Sequence, residues 1–585
     1  MKRTGLALLL VLTLVISLTA CGGQKAEPRK GNAKSVEATV TPTDVPATPT
    51  DAATPTPTTE PDVTPTVEPV TPTPTEPAVV TPTPMGNFKA PEKNCEIAFP
   101  TRDLYHYDMD LRLDTDRDTV GGHVVFEFYN DSNDTWDKLC LRDYPSLFTR
   151  PREIGYVARD IKGATTVIEN VKDGRDGSNL TCVRDEDVSV IWIDLPAPLA
   201  PGEKMTLSYD FTTKIPEVDD RFGVTDGLYN VANFFPILAE YTKNGWSHVA
   251  YYLMGECFYS EISNFDVRLT VPAGVTVGST GTEKGCEEGD GTVTYTYYAP
   301  AVRDFVFSAS KDFKVDTQTH DGVKVNVLYR EDDGVAGMDN VLKYTQIAAR
   351  DALRAFGEAF GKYPYEELDI ILTPLSAGGM EYPNLIQIAD SMYIYGHVKS
   401  VDGSAPYYDL QICVAHEIGH QWFMGIVGSD SGKQPWQDES ITSYTEKVFA
   451  DYVNANGGNM KPPYITIDTP TRFDFTDKVV VQTYRDSELF PINRGVHDYS
   501  SDNRYTYSIY VVGEMVIEEM EAVIGRENFY AVLREYVRRN AFSNADPESF
   551  FEVLYECAGT DNEELNTIID VAFDMSIYDQ SRLPR

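Results

Sequence analysis

The sequence predicts an α+β protein with more than one domain, in which an antiparallel β-saddle or sandwich domain precedes a mixed α/β domain. Three observations predict this order. The chain has 585 residues, which is too long for a single compact core. Apolar and polar residues alternate with a period of two from about residue 95 to residue 311, as they do in half-buried strands. Beyond about residue 321 the apolar residues take the spacing of amphipathic helices.

The β-rich segment shows its alternation most clearly at residues 205–211 and 265–271. Apolar residues stand there at every second position: Met205, Leu207, Tyr209, Phe211, Phe265, Val267, Leu269 and Val271. Turn-forming sequences separate such runs, at Gly121-Gly122, Pro201-Gly202 and Pro272-Ala273-Gly274. Many short strands divided by turns are typical of an antiparallel sandwich or saddle.

The second half begins with a predicted helix over residues 341–360. Its apolar stripe is formed by Leu342, Ile347, Leu353 and Phe356. A short apolar run, Leu368–Leu372, predicts a buried strand, and from Tyr408 onward the pattern is mostly helical. Strands followed by helices around a buried strand indicate a mixed domain.

The N-terminus predicts secretion and a lipid anchor. Lys2 and Arg3 precede an apolar run that ends at Leu18, and the run is too short for a comfortable membrane span. The next residues, Thr19-Ala20-Cys21, complete a sequence that resembles the bacterial lipobox, in which the cysteine is acylated. We therefore expect Cys21 to anchor the protein to the outer face of a bacterial cell membrane.

These patterns divide the chain into four segments. The predicted boundaries give a lipoprotein signal peptide at 1–21, a disordered linker at 22–85, a β-rich domain at 86–317 and a mixed α/β domain at 318–585. The linker is rich in threonine and proline and lacks apolar periodicity, so it cannot bury enough surface to fold. We expect it to act as an extended spacer.

Charge and cysteine content exclude two classes of site. The formal net charge of −40 argues against a nucleic-acid partner, which requires a basic face. Seven cysteines follow Cys21, so at least one is free, and no CxxC spacing indicates a thiolate zinc site. The oligomeric state stays open.

Residues 416–420 read His-Glu-Ile-Gly-His, an HExxH motif. On a helix His416 and His420 lie one turn apart on one face, where two imidazoles can bind one metal ion. Glu417 stands next to the first histidine and is the candidate general base. Glu439, separated from His420 by eighteen residues, lies in a segment that begins a second helical pattern and is the candidate third ligand. Two neutral histidines and one carboxylate predict a single Zn²⁺ with an open position for water.

Glu446 lies seven residues beyond Glu439, about two helical turns, so the two residues share a face. From that position Glu446 can hydrogen-bond the ring nitrogen of a ligand histidine that does not bind the metal. The alternative for Glu446, an ordinary surface glutamate, stays open.

Three motifs resemble those of the aminopeptidase N and leukotriene hydrolase family of gluzincin zinc metallopeptidases. HEIGHQWF followed by WQDESITSYTE resembles the zinc-binding signature of that family. Upstream, Gly378-Gly379-Met380-Glu381-Tyr382 is similar to its GAMEN motif, and downstream Tyr507–Gly513 is similar to its YxKG motif, with Tyr510 at the catalytic tyrosine.

The resemblance implies a thermolysin-like catalytic domain, peptide substrates and hydrolysis of peptide bonds. Tyr510 is then expected to stabilise the oxyanion, with Glu417 as the base. Gly378, Gly379 and Met380 are expected to bind substrate along an edge strand, and Glu381 to bind the cationic N-terminus of the peptide. This predicts an aminopeptidase acting on extracellular peptides.

The sequence departs from the family pattern at several points. Tyr382, Ser440 and Val512 replace the usual asparagine, glycine and lysine, and no second acidic motif for the substrate amine is evident in the β-rich segment. Few residues follow Tyr510, so we expect the C-terminal helical domain of longer relatives to be missing and the cleft to be more open. Two alternatives stay open: an endopeptidase or oligopeptidase on the same scaffold, and a non-catalytic binding lipoprotein with a structural zinc.

Overall fold

The computed structural model describes residues 88–149, 164–252, 255–331, 337–394, 405–461 and 472–583. The predicted signal peptide with Cys21 and the whole of the predicted linker lie outside these residues, so both stay predictions. Within the described ranges, no helix is both long enough and apolar enough to cross a membrane. The seven cysteines that follow Cys21 are all described, and all are free.

The β-rich half consists of short and medium strands joined by turns. Its strands are β1 Tyr105–Asp114, β2 Thr119–Tyr129, β3 Trp136–Arg142, β4 Thr166–Asp173, β5 Cys182–Arg184, β6 Val190–Leu199, β7 Lys204–Lys214, β8 Phe222–Thr225, β9 Leu228–Val231, β10 Ile237–Leu238, β11 Tyr241–Thr242, β12 Gly245–Trp246, β13 Ser263–Pro272, β14 Thr276–Ser279, β15 Thr282–Glu288, β16 Thr292–Val302 and β17 Phe307–Ser310. A 3-10 helix, Tyr144–Thr149, follows β3.

Seven of these strands form one large sheet in the order β15-β16-β13-β1-β2-β7-β4. Two four-stranded sheets, β10-β3-β6-β5 and β14-β17-β9-β8, and the hairpin β11-β12 complete this half. Neighbouring strands run antiparallel except β1 and β13, which are parallel with Tyr107 opposite Phe265. The predicted antiparallel domain is thus observed apart from this one pair.

The two-residue alternation of the sequence is the alternation of buried and solvent-facing side chains. In β7, Met205, Leu207, Tyr209 and Phe211 are buried, whereas the polar residues between them are partly exposed. Successive side chains of a strand point to opposite faces, so this half-buried sheet needs an apolar residue at every second position.

The mixed half contains a second, five-stranded sheet. Its strands and two short outlying strands are β18 Lys314–His320, β19 Val323–Tyr329, β20 Glu367–Thr373, β21 Gly379–Met380, β22 Leu385–Ala389, β23 Val427–Gly428 and β24 Ser543–Asn544. The sheet order is β18-β19-β20-β22-β21, with β19, β20 and β22 parallel and β18 and β21 antiparallel to their neighbours. Strand β20 is buried along its whole length, as predicted for Leu368–Leu372.

Helices cover this sheet and build the C-terminal part. They are α1 Met338–Phe360, α2 Tyr408–Gly419, α3 Ile441–Ala455, α4 Lys478–Asp486, α5 Asp502–Thr506, α6 Gly513–Ile524, α7 Arg526–Asn540, α8 Pro547–Ala558 and α9 Glu563–Ala572. Helix α1 packs against α2, α3 and α7. Two π-helical turns, Trp436–Ser440 and Tyr507–Val512, lead into α3 and α6.

The stripe predicted for α1 is only partly correct. Leu353 and Phe356 are buried, but Leu342 and Ile347 are half-buried. The fully buried face is formed largely by small residues, including Ala348, Ala349 and Ala352, together with Val341. Small side chains allow the neighbouring helices to approach closely. The prediction counted only large apolar residues, so it placed the buried face of α1 partly incorrectly.

Contacts between the two halves fix the segments that surround the HExxH motif. The Ser279 amide of the β-rich half donates to Asp369 Oδ2 of β20 at 2.9 Å. The buried Arg303 guanidinium donates to the Met424 carbonyl at 2.6 Å, just after the motif, and to the Ser543 carbonyl at 2.8 Å. Strand β18 spans the predicted boundary between residues 317 and 318, so the exact boundary stays a prediction.

Candidate metal centre and its cleft

Helix α2 ends at the HExxH motif, and His420 is its C-terminal cap residue. His416 and His420 lie one turn apart, with ring centroids 4.8 Å apart. Gly419 allows this end of α2 to pass close to α3, because a Cβ atom at residue 419 would overlap the Thr445 hydroxyl. The glycine of the motif therefore sets the distance between the two helices that carry the candidate ligands.

Glu439 meets the two histidines from the π-helical turn Trp436–Ser440. Its Oε2 atom lies 3.4 Å from His416 Nε2 and 3.3 Å from His420 Nε2, and the two nitrogens are 3.1 Å apart. Tetrahedral ligands with bonds of about 2.0–2.1 Å are about 3.3 Å from one another. The three atoms therefore have the spacing of ligands around one tetrahedral ion.

The donor set fits zinc. Two imidazoles and one carboxylate are ligands of catalytic zinc sites that keep a fourth position open. Glu439 Oε2 is buried and, among the residues that the structure describes, has no hydrogen-bond partner. Leaving a buried carboxylate oxygen without a partner is costly, so a cation bound at this point would satisfy it.

The Nδ1 nitrogen of each histidine ring, which does not face the candidate metal position, contacts a carboxylate. His416 Nδ1 donates to Glu446 Oε1 at 2.7 Å, at the place where the sequence analysis expected Glu446. His420 Nδ1 lies 2.8 Å from Asp438 Oδ1 and donates to the Phe423 carbonyl at 3.1 Å. Partners of this kind fix the orientation and tautomer of each ring and leave Nε2 free for a metal.

Glu417 is buried beside the candidate ligands. Burial raises the pKa of Glu417 to about 7. Its carboxyl group lies against the backbone of Gly379, where a Cβ atom would overlap it. A carboxylate whose pKa lies near neutrality is suited to take up a proton and to release it again.

Strand β21 forms an edge of the five-stranded sheet and pairs on one side with β22. An edge strand of this kind can add an extended peptide as a further strand. The side chain of Met380 packs in an apolar cluster with Leu385, so it faces the core. A Cβ atom on Gly378 would meet the Met392 Cε atom at an ordinary 3.4 Å, so nothing in the described residues requires glycine at position 378.

Glu381 follows β21 and points toward the candidate metal centre. It is 5% exposed, and one of its oxygens lies within 4.8 Å of a Glu417 oxygen and a His420 nitrogen. Among the described residues, no group donates a hydrogen bond to this carboxylate. Burial raises the pKa of Glu381 well above its ordinary value, and the nearby carboxylate of Glu256 raises it further. Both effects disfavour the ionised carboxylate when it is alone, so they favour the binding of a cation next to Glu381.

Glu256 comes from the β-rich half, in the loop before β13, and is buried. Its charge also raises the pKa of Glu417, where burial is the larger cause. It lines a narrow cavity together with Glu381, Tyr382 and Arg303. The β-rich half thus supplies an acidic residue to the cleft, which the sequence analysis did not find.

Tyr510 lies in the π-helical turn Tyr507–Val512, with its ring 6.2 Å from that of His416. Burial and the Glu439 carboxylate raise the pKa of the Tyr510 hydroxyl well above its ordinary value, so it stays protonated and can donate. Ser440, directly after Glu439, donates to the Ile509 carbonyl at 2.6 Å. This bond joins the turn that carries Glu439 to the turn that carries Tyr510.

The structure accommodates two of the departures from the family motifs. Ser440 fits because residue 513 is glycine, where a Cβ atom would overlap the serine hydroxyl. The Tyr382 hydroxyl donates to Asn233 Oδ1 at 3.1 Å, and the Asn233 amide donates to Asp304 at 2.7 Å. Tyr382 therefore ties the segment that carries Glu381 to the β-rich half.

Comparison with known proteins agrees with the motifs. Residues 345–571 match the profile of the peptidase family M1 domain. Aminopeptidase M1-B of Oryza sativa subsp. japonica is 26% identical over 256 residues, which are 43% of this chain and 27% of that protein. Aminopeptidase N of Haemonchus contortus is 24% identical over 324 residues, 52% of this chain and 31% of that protein. The chain spans less than a third of the length of these relatives.

A solved structure extends the comparison to the fold. A mutant of the M1 zinc metallopeptidase from Deinococcus radiodurans, bound to a Tyr-Ser-Ala substrate, matches with a TM-score of 0.53 and 15% identity. The match covers 82% of this chain and 96% of that chain. At this identity the likeness shows the fold, and it confirms the predicted fold class.

Proposed function

We propose that this chain, in which residues 345–571 form a peptidase family M1 domain, is a zinc-dependent aminopeptidase that removes N-terminal residues from peptides. One observation carries the proposal. The Nε2 atoms of His416 and His420 and Glu439 Oε2 have the mutual spacing of ligands of one tetrahedral ion. Glu417 lies directly beside them, and so does Glu381, whose carboxylate accepts no hydrogen bond from the part of the chain that the structure describes. A structural metal site would need neither of these two carboxylates.

His416, His420 and Glu439 would hold the zinc. When bound, zinc lowers the pKa of a coordinated water and polarises the carbonyl of the scissile bond. Glu446 and the Phe423 carbonyl accept hydrogen bonds from the Nδ1 atoms of His416 and His420 and so hold the two imidazoles in the required orientation.

The chain's own side chains move the protons and bind the developing charge. Glu417 takes the proton of the attacking water and delivers it to the amine that leaves. The protonated Tyr510 hydroxyl donates to the oxygen of the tetrahedral intermediate, an interaction that is strongest in the transition state. Both residues lie buried or half-buried against the ligand face, where such interactions are strong.

Recognition of the free N-terminus depends on acidic residues from both halves. The carboxylates of Glu381 and Glu256 would accept hydrogen bonds from the substrate ammonium. The free edge of β21 would pair with the peptide backbone and orient it toward the metal. A substrate without a free amine leaves the buried Glu381 carboxylate without a cation, which is costly and gives specificity for an N-terminus.

The location is part of the proposal. The lipobox-like sequence at Cys21 supports a lipid anchor on the outer face of a bacterial cell membrane, and the long Thr/Pro-rich segment supports a spacer between membrane and enzyme. Metabolic labelling with a fatty-acid probe tests this, because a Cys21→Ser variant should lose the label.

The decisive test compares free and blocked peptides. The full chain in detergent is given a set of peptides with free N-termini and the same peptides acetylated, with and without a chelator. The proposal predicts release of single N-terminal residues from free peptides, none from acetylated ones, and restoration of activity by zinc after chelation. Cleavage of acetylated peptides would show an endopeptidase, and a zinc-loaded protein inactive on every peptide would show a binding protein with a structural metal.

A further inference from the structure

The Glu256 carboxylate pairs with Arg221, a residue of the β-rich half directly before β8. Arg221 Nη1 donates to Glu256 Oε2 at 2.8 Å, and both side chains are nearly buried, at 11% and 9% exposed. A charge-assisted hydrogen bond in such surroundings is stronger than its equivalent in water.

Arg221 is held in place independently of Glu256. Its guanidinium lies over the ring of Phe258, 5.3 Å from the ring centroid. Its backbone amide donates to Asp220 Oδ1 at 2.6 Å, and the other oxygen of Asp220 accepts from Ser376 in the mixed half at 3.1 Å. The guanidinium is therefore a fixed charge rather than a mobile surface group.

Glu256 and Glu381 line the same narrow cavity. Among the described residues, Arg221 donates the hydrogen bond to the Glu256 carboxylate, and no group donates one to Glu381. Arg303 also lines the cavity, but its guanidinium donates to the carbonyls of Met424 and Ser543. Arg221 therefore orients one of the two carboxylates that line the cavity.

We propose that Arg221 is a positioning residue for substrate recognition, which fixes the Glu256 carboxylate so that it can receive the peptide's N-terminal ammonium. This inference rests on the proposed aminopeptidase function. It assigns to Arg221 a role in binding and leaves the chemical step to Glu417 and Tyr510.

The test measures binding, so it does not depend on turnover. L-leucinamide is titrated by calorimetry into the zinc-loaded Glu417→Gln chain at pH 6, where the amino group of the ligand is charged. The same titration is made with Arg221→Met, Arg221→Lys, Glu256→Gln and the Arg221→Met/Glu256→Gln pair added. N-acetyl-leucinamide, which lacks the charged amine, is the control ligand. Arg117→Met, at an exposed arginine paired with Asp114, is the control variant.

We expect Arg221→Met to weaken leucinamide binding about tenfold or more, the value of one buried charge-assisted hydrogen bond. Arg221→Met should add little in the Glu256→Gln background, and Arg221→Lys should retain most of the binding because it keeps the charge. Arg117→Met should bind as the parent does.

Two results would overturn the proposal: unchanged leucinamide binding by Arg221→Met, or an equal loss in the Glu256→Gln background. The second would show a packing role. If Arg221→Met does not fold, a folded Arg221→Lys that binds as weakly as Glu256→Gln would contradict it in the same way. Failure of the function itself gives a different result, since the parent chain would then bind leucinamide and N-acetyl-leucinamide alike.

Discussion

The carboxylates of Glu446 and Asp438 lie next to the Nδ1 atoms of the two histidine rings, and we do not expect them to contribute equally to zinc affinity. Glu446 Oε1 is the acceptor for His416 Nδ1, at 2.7 Å, and both side chains are largely buried. A hydrogen bond to a charged group contributes about 1.5–3 kcal/mol. Glutamine at this position keeps a neutral acceptor of roughly half that strength. Glu446→Gln should therefore cost about 0.75–1.5 kcal/mol, which weakens zinc binding about four- to twelvefold.

Asp438→Asn is the matched comparison. The N–H of His420 Nδ1 is directed to the Phe423 carbonyl at 3.1 Å, and the Thr442 hydroxyl lies 3.2 Å from the same nitrogen. Asp438 Oδ1 is close, at 2.8 Å, but it does not receive the directed hydrogen bond. Asp438→Asn should therefore leave the orientation of His420 unchanged. We expect the zinc affinity to fall about threefold or less, because the substitution weakens a Coulomb interaction.

Competition with a chromogenic chelator measures both zinc affinities at neutral pH, with thermal unfolding of the apo-proteins as a control for folding. Equal losses for the two variants would refute the reasoning. So would an unchanged zinc affinity for Glu446→Gln, since the contact to His416 would then have no influence on the metal.

Three further outcomes test individual residues. Glu417→Gln should keep one zinc per chain, measured by atomic emission, and lose about 10²–10⁴-fold in kcat; a fully active variant would remove Glu417 as the base. Tyr510→Phe should lower kcat about 10²–10³-fold with little change in KM, and an effect confined to KM would show that Tyr510 only binds substrate. Gly419→Ala places a Cβ atom on the Thr445 hydroxyl. We expect it to lower the free energy of unfolding of the apo-protein by about 1–3 kcal/mol, and unchanged stability in denaturant titrations would contradict the close approach of α2 and α3.

The parts of the site that follow a regular helical period were predictable from the sequence. His416 and His420 lie on one face because they are one turn apart, and Glu446 reaches His416 because it is two turns beyond Glu439. The burial of β7 and β20 likewise follows from their apolar patterns. Local periodicity determines the face on which each residue lies, but the contact between Glu446 and His416 also depends on the packing of α3 against α2, so the sequence analysis left the role of Glu446 open.

Asp438 and Glu256 were missed for different physical reasons. Adjacent residues on an α-helix point about 100° apart, so Asp438 was not expected to share the metal-binding side with Glu439. The π-helical turn at Trp436–Ser440 changes that geometry and directs both carboxylates to the histidines. Glu256 lies in a loop without periodicity, and only the packing of the β-rich half against the mixed half brings it to Glu381.

The identity and position of the bound metal test the central claim most directly. Crystals of the chain should be measured just above and just below the zinc absorption edge. The account predicts one anomalous peak per chain, within bonding distance of His416 Nε2, His420 Nε2 and Glu439, and no peak in crystals of a Glu439→Ala variant. Absence of zinc from the wild-type site, or a zinc bound without Glu439, would contradict it.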